Sequence, residues 1–171
     1  RALHHETMVT LLCTVRNCRQ PLQRDERRMV CANRHAFDIA RSGYVNLLQP
    51  QERRSKEPGD SKEAVTARRR WIQAGHEPSI MNVLDRGALS PALDVGCGEG
   101  SHLAALEPEE GCGVDLSVPA IDLAARTFPQ YHWVVANADR FLPYADRSFA
   151  TILSITSRLN PQEFRRVMRD D

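Results

Sequence analysis

Three glycines at alternate positions, Gly96, Gly98 and Gly100, follow directly on the short apolar run Ala92-Leu93-Asp94-Val95. A four-residue apolar run closed by glycine reads as a buried strand, and the Ser101–Leu106 stretch behind it reads as a helix. The glycines therefore occupy a strand-to-helix turn. The pattern then repeats: Gly111–Asp115, His132–Ala136 and Ala150–Ile155 are further apolar runs, and Val118–Thr127 and Pro161–Met168 are helix-like. Strands alternating with helices predict an α/β fold with a doubly wound, Rossmann-like parallel sheet, of which residues 91–171 supply four strands.

Such a loop brings backbone close to a ligand and aims the free N–H groups of the next helix at it. Asp115 ends the following strand, where its carboxylate can take both hydroxyls of a ribose. A dinucleotide site favours G-x-G-x-x-G/A with pyrophosphate over the helix start. Here position 101 is Ser, the third glycine comes one residue early, and Glu99 adds negative charge where pyrophosphate would lie. S-adenosylmethionine has no phosphate, and its ammonium and sulfonium suit carboxylates such as Asp94. The pattern thus favours the methyl donor over a nicotinamide cofactor; the plain alternative is a structural glycine turn. Asn137 and Asp139 follow the third strand at the same sheet end, placed either to read an adenine edge or to close the strand with an Asx turn. The candidate cofactor-binding set is Asp94, Gly96, Gly98, Glu99, Gly100, Asp115, Leu116, Asn137 and Asp139.

The front of the chain is built differently. Cys13-x4-Cys18 and Cys31-x3-His35 form two close pairs separated by twelve residues. Structural zinc takes four Cys or His ligands in tetrahedral geometry, often as two such pairs. Three buried thiols beside an unrelated histidine is the alternative. Four protein ligands leave no open position, so the zinc is expected to be structural. His4 and His5 lie outside the pattern and read as a tail, while Cys97 and Cys112 read as small buried hydrophobes. The expected organisation is a zinc-binding, RNA-recognition module over residues 1–48, a linker with helices over 49–90, and a cofactor-binding domain over 91–171. Within the middle part, residues 49–62 read as an extended polar linker, Ser61 as the N-cap of a helix over 61–75, and 77–88 as a second helix.

Charge is divided unevenly. Residues 1–75 hold 15 Lys/Arg against 8 Asp/Glu, a net of +7, and the remainder is net −6. A basic front half suits a polyanionic partner. No apolar run approaches the ~20 residues of a membrane span, and the first residues make a poor signal peptide, so a cytoplasmic location is expected.

Together these residues closely resemble the 23S ribosomal RNA (guanine-N1)-methyltransferases. The matching pieces run from Leu12-Cys13 through Pro21-Leu22, from Cys31 to His35, and from Phe37 through Ala40-Arg41-Ser42-Gly43 to Leu48. They continue with Pro58-Gly59-Asp60-Ser61, Ala67-Arg68-Arg69, Ala74-Gly75-His76 and Leu93 to Gly100. The resemblance implies a class I S-adenosylmethionine-dependent methyltransferase domain joined to a zinc module that helps hold a 23S ribosomal RNA hairpin, and often a homodimer. It implies that Cys13, Cys18, Cys31 and His35 bind zinc, that Gly98 and Glu99 contact the methyl donor, and that Asp115 holds its ribose. No catalytic residue is assigned; Asp60 is a weak candidate for the base, with helix capping as its other reading. The chain departs from the family at Glu77 and at Arg158, where an aromatic residue and a proline are common. Past Arg169 the family continues with further strands, so the chain reads as C-terminally truncated, with little activity expected of it alone. Two other readings stay open: a small-molecule methyltransferase with a structural zinc, and a non-catalytic fragment that binds cofactor or RNA.

Overall fold

The structure is a computed structural model describing residues 9–52, 58–76, 83, 88–155 and 157–170. The helix expected over 77–88 lies outside the described residues apart from its positions 83 and 88, and so do His4, His5, Glu77 and Thr156. A three-stranded antiparallel meander opens the chain: β1 (Leu22–Asp25), β2 (Arg28–Cys31) and β3 (Ala36–Asp38). Leu22 pairs with Cys31 and Met29 with Phe37. This small sheet buries little of its own, with only Leu22, Cys31 and Phe37 going inside.

The second sheet is wholly parallel, in the order β4 (Val45–Asn46), β7 (His132–Val135), β6 (Gly111–Asp115), β5 (Ala92–Val95), β8 (Thr151–Leu153). Helix α2 (Ser101–Leu106) joins β5 to β6, and α3 (Val118–Thr127) joins β6 to β7. These are the expected βαβ crossovers. Ser117 caps α3 by accepting from the Ala120 N–H, with Pro119 in its first turn. Helix α1 (Lys62–Gln73), capped by Ser61 as expected, packs on α3 and buries only Val65.

Two features differ from the sequence reading. The sheet has a fifth strand, β4, drawn from inside the expected 1–48 module. Its two residues pair with Val134 and Val135, and Ser42 just before it donates to Asp122 of α3 at 2.7 Å. Two residues carry no periodicity, so no local signal marks them. The second difference lies around β8, the last strand in the sheet order. After α4 (Pro161–Val167) the chain returns parallel to the residues leading into β8: Ser148 N–H donates to Val167 C=O, and Arg169 N–H to Phe149 C=O. The strand itself is shorter than the apolar run, which turns where the Ser154 and Ser157 hydroxyls meet at 2.7 Å.

Period-two alternation sorts the sheet's faces. Ala92, Trp133 and Val135 face Leu103 and Leu106 of α2 and Ile121, Ala124 and Ala125 of α3. Leu93, Val95, Cys112, Val114 and Val134 face the meander's Cys13, Leu22, Cys31 and Phe37, together with Leu142, Tyr144, Phe149 and Val167. The meander and the parallel sheet therefore share one core. Residues 10–12 are stitched to 143–145 by Leu12 N–H to Pro143 C=O (2.9 Å) and Ala145 N–H to Thr10 C=O (3.0 Å).

Arg166 locks this arrangement. Its guanidinium donates to the carbonyls of Tyr144 and Leu142 and to the carboxylates of Glu163 and Asp146, all at 2.7–2.9 Å, and lies 5.0 Å from the Phe141 ring, over which Arg19 of the metal-binding loop also sits. A lysine cannot reproduce that planar fork. Arg166→Lys is expected to lower unfolding stability by about 2–3 kcal/mol, since it strips carbonyls and a mostly buried Glu163 of their donors. Urea denaturation checks this; an unchanged midpoint would contradict the assigned role.

Candidate functional site

Cys13, Cys18, Cys31 and His35 come together. Their ligand atoms all lie within 4.8 Å of one another. Cys18 Sγ and Cys31 Sγ are 3.8 Å apart, too far for a disulfide. His35 presents Nδ1 to Cys13 Sγ at 3.4 Å and to Cys31 Sγ at 3.5 Å. A zinc tetrahedron with the usual bond lengths has edges of about 3.8 Å between sulfurs and about 3.6 Å from sulfur to nitrogen, so the cluster has the size of that metal's first shell. Both knuckles are tight turns with a left-handed residue, Asn17 (φ 63°) and Arg34 (φ 62°). The Cys18 thiol is pulled down to about 6, most strongly by the Gln20 backbone N–H and also by the Asn33 amide, which donates to its sulfur at 3.2 Å. Burial pushes Cys13 up to about 12. Asn33 carries no signal in the sequence; only the fold brings it to the sulfur.

The second site lies at the carboxyl ends of β5, β6 and β7, where open α/β sheets bind ligands. A cleft of about 150 Å³ is lined by Gly96, Asp115, Leu116, Asn137, Asp139, Ser157 and Arg158, with Val95, Val114, Ala136 and Ala138 as its apolar wall. Asp115 is held rigidly: Oδ2 accepts from the Gly98 N–H at 2.9 Å and Oδ1 from the Ser117 N–H at 2.8 Å. Each oxygen keeps a second lone pair for a ligand hydroxyl. Gly98 (φ 55°) makes this bond from the left-handed region, and an added Cβ there would meet open space, so this glycine leaves backbone bare toward the site. Its neighbours are more closely packed. A Cβ on Gly96 would strike Ser157 and one on Gly100 would strike Trp133. The sequence reading gave all three glycines to the ligand; of these, Gly96 lines the cleft and Gly98 holds the Asp115 carboxylate.

Asp94 and Glu99 are almost fully buried at 1% and 3% exposure. Glu99 accepts from the Ser101 hydroxyl at 2.6 Å, while Asp94 Oδ2 has no hydrogen-bond partner among the described residues. Burial first, then the charges of Asp115 and Glu99, push the Asp94 carboxyl up to about 7; the Leu103 backbone N–H and Arg68 of α1 oppose this weakly. Burial also raises Asp115, against the pull of the Ser117 and Gly98 N–H groups. A buried cluster of acids with one unsatisfied oxygen calls for a cation. The ammonium and sulfonium of S-adenosylmethionine supply positive charge, so the residues present fit that cofactor.

Residues outside the expected set complete the cleft. Ser117 donates from Oγ to the Asp60 carbonyl at 2.7 Å, and Gly59 approaches Ser117 so closely that any Cβ would fall within 2.8 Å of its backbone. Gly59 and Asp60 of the expected linker are thus docked against Ser117, Asp60 through its carbonyl beside the capping Ser61. Asp139 stands at the rim, 3.5 Å from Arg158, which lines the cleft opposite Asn137. Ser117 was legible in principle, as a cap followed by proline. Ser157 and Arg158 were not, because only the sheet brings β8 beside β5.

Comparison with known proteins matches both regions of the chain. A family model for the RlmA N-terminal zinc ribbon matches residues 12–56, and a methyltransferase domain model matches residues 92–170. The 23S rRNA (guanine(748)-N(1))-methyltransferase of Streptomyces fradiae is 36% identical over 90% of this chain and 58% of its own length. A Micromonospora griseorubida protein named for 23S rRNA guanine-N1 methylation is 32% identical over 99% of this chain and 65% of its own. The chain thus joins a zinc-ribbon region to a methyltransferase domain, and 23S rRNA (guanine-N1)-methyltransferases are among its homologues. It spans about 60% of the length of these relatives. Among solved structures, a Methanococcus maripaludis protein described as an S-adenosyl-L-methionine-dependent methyltransferase superposes with a TM-score of 0.51 at 16% identity, covering 67% of this chain and 63% of that one. That likeness shows the fold: a class I methyltransferase sheet, here carrying a zinc ribbon.

Two outcomes are expected of these sites. Zinc co-purifies at about one equivalent per chain, and chelation lowers the thermal midpoint of the whole chain, because the ribbon shares its core with the sheet. Elemental analysis finding no zinc in zinc-supplied protein would contradict the cluster's assignment. The second concerns pH. The folded chain holds a proton on Asp94 up to about pH 7, whereas the unfolded chain releases it near 3.8. The folded state therefore binds more protons in that window, and stability falls as pH rises through it, by up to ~4 kcal/mol. Asp94→Asn removes the effect, so the wild-type midpoint drops relative to the variant between pH 5 and 7.5. Parallel profiles for the two proteins would refute the buried proton.

Proposed function

We propose that this chain binds S-adenosylmethionine and acts in methyl transfer to N1 of a guanine in 23S ribosomal RNA. The observation that carries the reading is the joining of a four-ligand ribbon and an acidic glycine-loop cleft on one core, the combination its relatives share. The cofactor supplies the activated methyl group. Asp115, with its oxygens oriented by Gly98 and Ser117, takes the ribose hydroxyls; Asp94 and Glu99 face the cationic end; Leu116, Asn137 and Asp139 line the adenine side. Gly96 and Gly100 shape the loop by admitting Ser157 and Trp133.

The target nitrogen lies on the Watson–Crick edge, so the guanine must leave its pair or sit in a loop. The basic front half supports a ribosomal RNA hairpin as the partner, gripped through the ribbon. A homodimer and a cytoplasmic location complete the reading, on the family resemblance. No helix among the described residues is long and apolar enough to cross a membrane.

Methylation at N1 blocks base pairing, so primer extension on 23S RNA treated with the methyl donor and this chain, extended at its C-terminus to the length of its relatives, should stop one nucleotide before a guanine. Tritium transfer to RNA without such a stop would exclude N1 as the target, and transfer to small molecules alone would exclude RNA. Binding gives a sharper test of the cleft. Asp115→Ala is expected to weaken cofactor affinity at least tenfold, through loss of two charge-assisted hydrogen bonds. Asp115→Asn should fare little better, because its amide would face one of the two backbone N–H donors that both oxygens now accept. Calorimetry giving wild-type affinity for either variant would overturn the ribose assignment.

A further inference from the structure

The two tryptophans of this chain have opposite fates. Trp133 is 3% exposed, packed under the glycine loop with its Nε1 donating to the Phe128 carbonyl at 2.9 Å. Trp71, in the last turn of α1, is 48% exposed. A residue that normally buries a large apolar area is left out in solvent. It does not stand alone there. The helix ends in a tight turn: Ala74 N–H donates to Arg70 C=O, Gly75 N–H to Ile72 C=O, and His76 N–H reaches Trp71 C=O at 3.4 Å. That reversal carries the His76 ring back over the indole, with centroids 6.0 Å apart and planes 29° from parallel. The result is a two-ring stack at the surface.

Its surroundings are cationic. Helix α1 carries Lys62, Arg68, Arg69 and Arg70 against a single acid, Glu63. Arg69 is tied down, donating to the Thr127 hydroxyl of α3 at 2.6 Å, whereas Arg70 is exposed beside Trp71. The position along the helix matters too. Arg68 lies near enough to Asp94 to act on its carboxyl, and Trp71 follows three residues later, on the same side and about 4.5 Å further along the axis. The stack therefore stands roughly one helical turn from a residue whose charge is felt at Asp94.

We propose that Trp71, backed by His76, is a stacking platform for an unpaired base of the RNA substrate, with Arg70 meeting the neighbouring phosphate. An exposed flat ring offers any base a face, and a cation next to it offers the backbone a partner, which is how single-stranded nucleic acid is held without pairing. The basic helix favours a polyanion over a protein surface or a second copy of this chain. The inference rests on the RNA-methyltransferase reading above, and it adds a contact surface outside both the zinc ribbon and the cofactor cleft.

The test uses the full chain and a 5′-fluorescein RNA hairpin with unpaired purines in its loop, beside a fully paired duplex of the same length, read by anisotropy. Wild type should prefer the hairpin. Trp71→Ala should weaken hairpin binding about tenfold or more and abolish the preference, with an unchanged salt slope. Trp71→Phe should keep most of the affinity. Arg70→Gln should instead weaken hairpin and duplex alike and reduce the salt slope by about one. RNA should quench wild-type tryptophan emission but not that of Trp71→Phe, where only the buried Trp133 remains. Wild-type affinity and preference in Trp71→Ala overturn the platform while leaving the RNA reading intact. Absence of RNA binding by wild type overturns the RNA reading, and the platform with it. If Trp71→Ala proves unstable, the quenching comparison decides, and unquenched wild-type emission at saturating RNA counts against the platform.

Discussion

A parallel sheet has two apolar faces, and here two helices cover one of them while mostly non-helical chain covers the other. Helices α2 and α3 shield the side carrying Trp133 and Val135, while the side carrying Leu93, Val95, Val114 and Val134 is closed by Val9, Cys13, Leu22, Cys31 and Phe37, by the segment around Leu142, Tyr144 and Phe149, and by Val167 of α4. Parallel sheets are stable only when both sides are buried. The meander that provides the second cover cannot hold itself together with three inward side chains, so its shape depends on Cys13, Cys18, Cys31 and His35 being tied at one point. The metal cluster thus supports the cofactor domain as well as its own strands. The Arg19–Phe141–Arg166 contacts and the backbone bonds between residues 10–12 and 143–145 carry that support across.

The cofactor cleft follows from a different constraint, the cost of burying charge. Three carboxylates, Asp94, Glu99 and Asp115, gather at one glycine loop, and their mutual repulsion and desolvation are met only in part by backbone N–H groups, the Ser101 hydroxyl and Arg68. Such an arrangement is poised for a cationic ligand, whose arrival relieves the repulsion. Fixing Asp115 through Gly98 and Ser117 means that a ligand hydroxyl meets acceptors already oriented, so little ordering remains to be done on binding. The loop glycines divide the labour: Gly98 donates its N–H to Asp115, while Gly96 and Gly100 admit Ser157 and Trp133 against the turn.

Much of the site was legible in the sequence, since its parts are local. The Cys-x4-Cys and Cys-x3-His pairs lie on single turns, the glycine loop joins one strand to one helix, and Asp115 ends the next strand. Spacing along the chain maps directly onto spacing in the fold for such units. The caps at Ser61 and Ser117 are local for the same reason. Contacts built by distant segments were not legible. Ser157 and Arg158 reach the cleft only because β8 pairs with β5, Asn33 reaches Cys18 only because the knuckles face each other, and Gly59 with Asp60 meets Ser117 only because α1 lies on α3.

By itself, then, the sequence determined the zinc ligands, the strand–loop–helix unit, the alternation of strands and helices, and the acidic character of the cleft, because each follows from periodicity, spacing or residue chemistry within about twenty residues. Tertiary structure alone decided that Val45–Asn46 becomes the fifth strand, that the ribbon covers a sheet face instead of standing apart, that Arg158 meets Asp139, and that Trp71 stays outside while Trp133 goes in. The physical reason is the same in each case. A two-residue strand, a shared core or a side chain's exposure is set by which surfaces are left over once the larger elements have packed, and that remainder is a property of the whole chain, with no signature in any one segment of it.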